Sequence, residues 1–340
     1  MPDAAPLPIP SEESSTPPKP LVIQTEELSD EAAAWLAARV DLQVCGVDEA
    51  RFGQLLSKAA GLVVRTYTRV DAGLLGRAPN LKVVGRAGVA VDNIDVAACR
   101  EQGVEVVHTP DANTRAVVEL VTAFLLDAIR PRLFLDKALG KADWKRVRGE
   151  LVGERQACQM TLGVLGFGRI GSKIARVGQA LGMRVVYCDL REIPEPERGY
   201  EADGTGEHGR AQPVSFEKLF ELSDVVTVHV DNRPENRRIV DLDALKMLPP
   251  GAILINTSRG FVVDALSVAA WLRDDPAAQA ILDVHDPEPI EEDAPLLGLA
   301  NAHLSPHIGA ATRLAHANMS WVVRDVWRVL QGERPYFPAP

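Results

Sequence analysis

Short apolar runs alternate along the chain with longer stretches in which apolar residues recur every three or four positions. Such runs are typical of strands buried on both faces of a parallel sheet, and the longer stretches are typical of amphipathic helices. Five runs occupy the first third of the chain: LVIQT (21–25), DLQVC (41–45), GLVVRT (61–66), LKVVGRAG (81–88) and VEVVHTP (104–110). Strands that alternate with helices in this way predict a βαβ domain.

A second series of apolar runs begins at Thr161 and continues beyond residue 300. Its members are TLGVL (161–165), RVVYC (184–188), VVTVHV (225–230), AILINT (252–257), AILDV (280–284) and AHLS (302–305). Helical spacing separates them, for example over residues 241–247 and 264–273. The pattern predicts a second α/β domain on a doubly wound parallel sheet, in which ligands bind at the carboxyl ends of the strands.

Three glycines follow the run 161–165 in the spacing G-x-G-x-x-G, at Gly166, Gly168 and Gly171. In this spacing the first glycine permits a tight turn, the second lets the backbone approach a pyrophosphate, and the third lets helix and strand pack closely. Three such glycines alone fit an ordinary turn equally well. The flanking strands and the helical spacing of residues 170–181 favour a dinucleotide site, with the phosphates at a helix N-terminus.

An acid ends the second strand of that unit. Asp189 stands 18 positions after Gly171, close to the ~20 expected of the residue that binds the ribose 2′-hydroxyl. A carboxylate at this position would repel a 2′-phosphate, so the sequence predicts NAD rather than NADP as the cofactor. Arg191, two residues further on, weakens that preference slightly.

Composition limits what the protein can bind. The chain has 340 residues, of which 46% are hydrophobic and 25% charged, and this composition indicates a globular protein with two domains. The net charge of -10, without a basic cluster, argues against nucleic acid as a partner. No stretch approaches the ~20 apolar residues of a membrane helix, so no membrane is expected as a partner either.

Cysteine usage and the N-terminus bear on location. The four cysteines, Cys45, Cys99, Cys158 and Cys188, lie at wide spacings and mostly among apolar residues. They suggest neither a disulfide framework nor a metal site, and a reducing cytoplasm is the expected location. Residues 1–20 are rich in proline, serine and acid, and lack the basic start and apolar core of a signal peptide. They are predicted to form a disordered tail.

One arginine, one acid and one histidine each follow a predicted strand of the second domain. Arg259 comes after AILINT, Glu288 after AILDV and His307 after AHLS. Each alone fits an ordinary role, as a surface cation, a solvated charge and a turn histidine. Because the carboxyl ends of parallel strands meet at one edge of a sheet, we expect the three side chains to lie close together.

Together these three side chains have the chemistry that reduction of a ketone by NADH requires. The cofactor supplies a hydride for carbon, and the proton for oxygen must come from elsewhere. His307 is suited to supply that proton near neutral pH, and Glu288 beside it would favour the imidazolium form and raise its pKa. Arg259 could hold a substrate carboxylate through two hydrogen bonds.

Five motifs, in this order, resemble those of the D-isomer-specific 2-hydroxyacid dehydrogenase family: LKVVGRAGVAVDNID, LGVLGFGRIG, INTSRG, LDVHDPEP and LSPHIG. The resemblance covers about residues 21–335 and is greatest to the phosphoglycerate dehydrogenase branch, here expected without a regulatory domain. It implies two Rossmann-like or flavodoxin-like domains with the active site in the cleft between them, and homodimers formed through the cofactor domain. The implied domains are residues 21–112 with 308–340 for substrate, and 113–307 for NAD.

The resemblance also implies roles for individual residues. Arg259, Glu288 and His307 are the implied catalytic residues. The implied NAD site consists of Gly166, Phe167, Gly168, Arg169, Ile170, Gly171, Asp189, Thr257 and Asp283. The implied substrate-binding residues are Arg65, Arg86, Ala87, Gly88 and Val89.

The implied substrate-binding residues also fit purely structural roles. Gly85 and Gly88 could let the backbone bind a small carboxylate, or only form a tight turn between strand and helix. Arg65 and Arg86 match basic residues that bind the phosphate in the phosphoglycerate branch, but they are also common in relatives that reduce glyoxylate or hydroxypyruvate. Arg65 could instead pair with a helix carboxylate. The substrate therefore stays open among 3-phosphoglycerate, glyoxylate and hydroxypyruvate.

Some residues depart from the family pattern. Ala90 stands where glycine is usual, His285 where an aromatic residue is common, and no proline follows two positions after His229.

The same fold, with its three catalytic residues, also serves transcriptional scaffolds, so a dinucleotide-sensing, corepressor-like binding protein is the alternative function. Formate dehydrogenase is disfavoured, because that branch has glutamine where Glu288 stands.

Overall fold

The computed structural model describes residues 18–198 and 209–340. The chain divides into two compact units, one made of the residues up to Pro110 together with Ser320–Pro340, and the other of Asp111–Met319. The predicted tail lies outside the described residues except for residues 18–20, and so do residues 199–208 of the polar segment that follows Asp189.

The boundary between the two compact units lies close to, but not at, the position expected from the sequence. The second unit ends at Met319, whereas the sequence analysis placed the change at residue 307. Residues 308–319 belong to the second unit because Ile308 and Gly309 donate backbone hydrogen bonds to Asp283, at 2.8 and 2.7 Å, and because Ala315 and Met319 pack against Ala116. The loop that carries His307 is thereby held on the second unit.

Five parallel strands form the sheet of the first unit, in the order β2-β1-β3-β4-β5. They are β1 Leu21–Gln24, β2 Asp41–Val44, β3 Gly61–Val64, β4 Val83–Arg86 and β5 Glu105–Val107. Each predicted run of the first third of the chain therefore contains a strand, and the prediction of a βαβ domain is confirmed. The strand order is that of flavodoxin-like sheets.

Helices cover both faces of this first sheet. Those that connect its strands are α1 Asp30–Ala37, α2 Phe52–Leu56, α3 Ala72–Leu75 and α4 Val96–Glu101. Successive residues of a strand point to opposite faces, so Val22 packs in one apolar cluster and Ile23 in another. Each such fully buried side chain contributes about 1.5–3 kcal/mol to folding.

Seven parallel strands form the sheet of the second unit, in the order β12-β11-β10-β9-β6-β7-β8. They are β6 Thr161–Leu165, β7 Arg184–Cys188, β8 Gln212–Pro213, β9 Val225–Val228, β10 Ile253–Asn256, β11 Gln279–Leu282 and β12 Ala302–Leu304. The predicted strands are confirmed, whereas β8 was missed because its two residues carry no apolar pattern. Read from β8, the order is that of the Rossmann fold, and it reverses direction between β6 and β9.

Helices also pack on both faces of the second sheet, so the predicted doubly wound sheet is confirmed. The helices of this unit are α5 Thr114–Ile129, α6 Lys141–Glu150, α7 Gly171–Ala180, α8 Phe216–Leu222, α9 Leu242–Lys246, α10 Ala265–Asp274 and α11 Arg313–Ser320. Apolar residues of α5 and α7 cover one face, and those of α8, α9 and α10 the other. In the part of the chain that the structure describes, no helix is long and apolar enough to cross a membrane.

The last helix returns the chain to the first unit. This helix, α12 Val323–Leu330, packs against the face of the sheet that also carries α1. Gly85 in β4 has no side chain at the point of closest approach, where a Cβ would overlap a methyl group of Val326. Gly85 therefore serves the packing of α12.

Candidate active site

The turn between β6 and α7 has the geometry that the glycine spacing predicts. Gly166 adopts φ +90°, and a Cβ there would stand 2.7 Å from the backbone carbon of His229. A Cβ on Gly171 would overlap the carbonyl oxygen of Gly166, so the third glycine lets α7 pack on the turn. Gly168 faces open space, because a Cβ there would meet no atom within 4 Å. The turn is thus a tight backbone cradle that is open on one side, as a pyrophosphate requires.

Asp189 stands directly after β7, next to this turn. Its carboxylate accepts hydrogen bonds from the backbone N–H of Phe167 at 2.6 Å and of Arg191 at 2.8 Å. Burial opposes its charge, but these hydrogen bonds outweigh burial and lower the pKa of Asp189. The side chain of Arg191 pairs with it at 3.2 Å. A charged carboxylate therefore lies where the ribose hydroxyls of a dinucleotide bind.

The other predicted cofactor residues differ in what they offer a ligand. The ring of Phe167 is buried and lies 4.2 Å from the ring of Tyr187, and its backbone N–H and carbonyl group bond to Asp189 and Arg191. Arg169 is exposed and its guanidinium lies 3.9 Å from the carboxylate of Asp111, while Ile170 packs against the apolar cluster. The hydroxyl of Thr257 is buried and has no hydrogen-bond partner among the described residues. Thr257 thus has a polar atom that a cofactor could satisfy.

His307 and Glu288 form the pair that the sequence predicted. Nδ1 of His307 lies 2.8 Å from Oε2 of Glu288, and both side chains are partly exposed. The hydrogen bond that His307 donates to Glu288 raises the pKa of His307 against the effect of burial. Burial would raise the pKa of Glu288, but hydrogen bonds from His307 and from the backbone N–H of His285 lower it. Both shifts favour a charged pair, in which an imidazolium is held by a carboxylate.

Arg259 follows β10 in a turn that its neighbours fix. The side chain of Asn256 accepts from the backbone N–H of Ser258 at 2.9 Å and donates to the carbonyl oxygen of Arg259, also at 2.9 Å. A Cβ on Gly260 would overlap the carbonyl group of His285, so the Arg259 loop lies directly against the next strand-end loop. The positive charge of Arg259 opposes protonation of His307, so it acts on the same site.

Asp283 anchors the loop that carries His307. Its buried carboxylate accepts hydrogen bonds from the hydroxyl of Ser305 at 2.6 Å and from the backbone N–H groups of Ile308 and Gly309. His307 lies inside this segment and adopts φ +53°, a conformation that is uncommon outside glycine. Asp283 was predicted to line the NAD site, and both of its carboxylate oxygens accept hydrogen bonds from the chain itself.

In the first unit, the loop after β3 holds Arg65. The carboxylate of Glu26 accepts hydrogen bonds from the backbone N–H groups of the four residues 65–68, at 2.8 to 3.1 Å. The Arg65 guanidinium contacts the carbonyl oxygen of Glu27 at 3.4 Å. Within residues 18–198 and 209–340, no carboxylate pairs with this guanidinium, so the alternative of a helix ion pair for Arg65 has no support.

The loop after β4 contains the other predicted substrate residues. The backbone N–H of Ala87 donates to Val64 at 2.8 Å and that of Gly88 donates to Arg86 at 2.8 Å. The half-buried guanidinium of Arg86 folds back against Gly88, where any Cβ would overlap it. Two of the N–H groups expected to bind an anion are thus engaged, and among the described residues the N–H of Val89 has no partner.

Several residues that shape these loops were not assigned roles from the sequence. Glu26 and Asn256 hold loops in place by side-chain bonds to the backbone, and the hydroxyl of Ser305 donates to the carboxylate of Asp283. Only Asn256 had a recognisable signal, since Asn two residues before Ser is typical of a side-chain turn. His229, beside Gly166, is neutral because burial lowers its pKa to about 3. His229 lies within the predicted strand 225–230, so its position is visible in the sequence, but its burial is not.

Known proteins similar to this chain share the fold and the motifs. The family model described as D-isomer specific 2-hydroxyacid dehydrogenase, NAD binding domain, matches residues 122–309. An (S)-sulfolactate dehydrogenase of Chromohalobacter salexigens is 37% identical over 285 residues, which are 83% of this chain and 88% of that protein. The TT0316 protein from Thermus thermophilus, whose crystal structure is known, is 32% identical with a TM-score of 0.78, over 94% of this chain and 100% of that one.

A further relative is longer than this chain. A D-3-phosphoglycerate dehydrogenase of Archaeoglobus fulgidus is 33% identical over 309 residues, which are 89% of this chain and 56% of that protein. The chain thus spans about half the length of this relative.

The Rossmann sheet, its glycine turn and the acid after β7 define a dinucleotide-binding α/β protein. An arginine, a glutamate and a histidine at the strand ends of the same unit narrow that class further. The chain belongs to the D-isomer specific 2-hydroxyacid dehydrogenase family. Its second unit contains the NAD-binding domain of that family, and the predicted cofactor, NAD, is confirmed.

Proposed function

We propose that the protein is an NAD-dependent oxidoreductase that interconverts a D-2-hydroxy acid and its 2-keto acid. The observation that carries this proposal is the 2.8 Å contact between His307 and Glu288 in the NAD-binding unit, where Arg259 acts on the same histidine. A proton donor, a carboxylate that keeps it charged and a permanent cation are the groups that reduction of a keto acid requires.

The contacts of His307 indicate which of its atoms would act. Nδ1 is bonded to Glu288, so Nε2 is left to give a proton to the carbonyl oxygen of a keto acid or to take one from a hydroxyl group. Glu288 favours the charged ring and fixes its orientation. When bound, NADH supplies the hydride for the substrate carbon.

Arg259 is the proposed anchor for the substrate carboxylate. A guanidinium presents two parallel N–H groups that match the two oxygens of a carboxylate. Its loop is held by Asn256 and by the close approach of Gly260 to His285. Holding the carboxylate fixes the position of the neighbouring carbon, which is the atom that exchanges the hydride.

The glycine turn and its surroundings would hold the cofactor. The open side of Gly168 and the N-terminus of α7 suit the pyrophosphate, and Asp189 suits the ribose hydroxyls. The buried, unsatisfied hydroxyl of Thr257 is a further proposed contact. The remaining proposed contacts are the backbone of residues 166–171 and, through the loop that it anchors, Asp283.

The first unit supports a substrate with a second anionic group. The names phosphoglycerate and sulfolactate both denote hydroxy acids that carry one, a phosphate or a sulfonate. The Arg65 guanidinium is not neutralised by a carboxylate of the described chain, and Arg86 is the last residue of β4. We propose that these arginines, with residues 87–89, bind the substrate. Glyoxylate and hydroxypyruvate are the candidates without a second anionic group.

We also propose a homodimer and a cytoplasmic location. Residues 126–152 of the NAD-binding unit leave large apolar side chains exposed, and helix α6 in this segment has no buried residue. The exposed side chains are Leu126, Leu133, Phe134, Leu135, Trp144 and Val152. A hollow of about 370 Å³ beside α5 and β12, lined mainly by apolar residues, lies next to this segment.

The cysteines support the proposed location. All four are free, which suits a reducing compartment.

A substrate screen tests the proposed function. The purified chain is mixed with NADH and with 3-phosphohydroxypyruvate, sulfopyruvate, hydroxypyruvate, glyoxylate and pyruvate in turn, and the loss of nicotinamide absorbance is followed. Turnover is expected with at least one acid, and fastest with one that carries a second anion. Tight binding of NADH without turnover of any acid would contradict the enzyme and favour a dinucleotide-sensing binding protein.

A further inference from the structure

His285 connects the two loops that hold the catalytic pair. It lies three residues after β11, at a position where the family commonly has an aromatic residue. Its Nε2 lies 2.8 Å from the carbonyl oxygen of Ser305. A carbonyl oxygen only accepts hydrogen bonds, so Nε2 carries the proton and donates it. The bond therefore forms whether the ring of His285 is neutral or charged.

The contacts of His285 complete a closed ring. Its backbone N–H donates to Oε1 of Glu288 at 2.9 Å, and Oε2 of Glu288 contacts Nδ1 of His307. The backbone N–H of His307 donates to the carbonyl oxygen of Ser305 at 3.0 Å, and the same oxygen accepts from the side chain of His285. Two donors use the two lone pairs of one carbonyl oxygen. The ring thus fixes Glu288 and His307 relative to each other.

The backbone on both sides of this ring is also fixed. Gly260 lies against the carbonyl group of His285 so closely that no side chain fits between them, and this contact holds the start of the Glu288 loop. On the far side of His307, the segment is tied to Asp283 through Ile308 and Gly309. Between these points His307 adopts φ +53°, which neighbouring contacts must impose.

We propose that His285 is a positioning residue for the reaction, which holds the His307 loop through its bond to the carbonyl oxygen of Ser305. A phenylalanine at this position could fill the same space but could not donate this bond. His285 would not touch the substrate and would act only through the orientation of His307. This inference rests on the proposed function, because it assigns His285 to the proton transfer carried out by His307.

The test compares variants of residue 285 that differ in the position of the hydrogen-bond donor in the side chain. In His285→Gln the amide nitrogen can take the place of Nε2, whereas in His285→Asn it takes the place of Nδ1 and cannot reach Ser305. His285→Phe removes the donor and keeps a ring. His303→Phe, on the neighbouring strand β12, is the matched control. For each variant, kcat, KM, NADH affinity and the pH profile of keto-acid reduction are measured.

We expect His285→Phe and His285→Asn to lower kcat roughly tenfold, the effect of one lost hydrogen bond on orientation, with NADH affinity unchanged. His285→Gln should restore most of kcat, and His303→Phe should resemble the original protein. The upper limb of the pH profile should move to lower pH in the Phe and Asn variants, because His307 pairs less well with Glu288. The other charges that act on His307, Asp283 and Arg259, are unchanged in all variants.

Two outcomes would overturn the inference. One is a kcat and pH profile in His285→Phe equal to those of the original protein, and the other is equal loss in the Gln and Asn variants. Should the Phe variant fail to fold, the Gln and Asn pair still decides, since both are polar and small. If the original protein reduces no keto acid, the proposed function is wrong. That result is seen in the original protein alone, whereas the inference about His285 is tested by the differences among the variants.

Discussion

Two loops, one in each unit, are held in place in the same way, by a carboxylate that accepts hydrogen bonds from their backbone. In the first unit, Glu26 after β1 accepts backbone hydrogen bonds from the loop after the neighbouring strand β3. In the second, Asp283 after β11 accepts them from the loop after the neighbouring strand β12. Within the anchored segments, residues 65–68 and 305–309, each loop presents one basic side chain, Arg65 or His307. A carboxylate at a strand end thus satisfies backbone N–H groups and sets the loop in place.

The two loops differ in what stands beside the basic side chain. His307 has Glu288 at 2.8 Å, which favours its protonated form while leaving it able to release the proton. Among the described residues no carboxylate pairs with Arg65, and a guanidinium stays charged at any working pH. The same anchoring therefore holds the proposed proton donor in one unit and a guanidinium in the other, and the neighbouring acid makes the difference.

The largest expected effect tests the proton donor. His307→Ala removes the only group of its loop that can exchange a proton, so turnover should fall by about 10²- to 10⁴-fold. NADH binding, measured by fluorescence titration, should stay intact, because His307 makes no predicted contact with the cofactor. A rate close to that of the original protein would show that the proton comes from another group.

A second prediction tests the anchor of the same loop. Asp283→Asn replaces an acceptor of three hydrogen bonds by an amide that cannot accept all of them. A shift of about 1 Å in His307 would lower kcat on the order of 10²-fold, with Asp293→Asn, an exposed site, as the control. If NADH affinity falls while kcat at saturating NADH persists, the carboxylate binds the cofactor instead of serving as an anchor.

A third prediction tests the permanent cation. Arg65→Ala should lower kcat/KM for 3-phosphoglycerate by about 10- to 100-fold, the effect of one charged hydrogen bond. The change for glycerate, which lacks the phosphate, should be far smaller. Arg69→Ala, whose guanidinium is exposed, is the matched control. Equal losses on both substrates would defeat the assignment of Arg65 to a second anionic group.

The smallest effect is expected at the anchor of the Arg65 loop. Burial opposes the charge of Glu26, but four backbone donors lower its pKa, so its contribution to stability is present above the pKa of the unfolded chain and is lost as pH falls through the folded value. Glu26→Gln should lower the free energy of unfolding at pH 7 by about 1–3 kcal/mol. The loss should shrink in acid, as measured by urea titration, whereas Glu27→Gln should show neither change.

Much of the fold could be predicted because its signals are local. Apolar runs indicated the strands of both sheets, and the order Gly166, Gly168, Gly171 and Asp189 indicated the cofactor turn. Strand β8 was missed, since two residues carry no periodicity. The end of the second unit at Met319 could not be predicted from the apolar pattern either, because it depends on bonds between Asp283 and a loop 25 positions away.

The chemical groups of the candidate site could be predicted from the sequence, but the contacts that hold its loops in place could not. Arg259, Glu288 and His307 each follow a strand, and the topology of parallel sheets brings such positions together. Glu26 and Ser305 act through side-chain bonds to residues 39 and 22 positions away, for which a single sequence carries almost no signal. The expected anion-binding role of Gly88 also needed coordinates, because its N–H donates to Arg86 within the same turn.

The contact between Gly260 and His285 limits how this site could be redesigned. Any library that varies the Arg259 loop to change substrate preference has to retain residue 260 as glycine, because even alanine there would push the Glu288 loop outward and carry the proton donor with it. Variation in this loop is therefore better confined to positions other than residue 260.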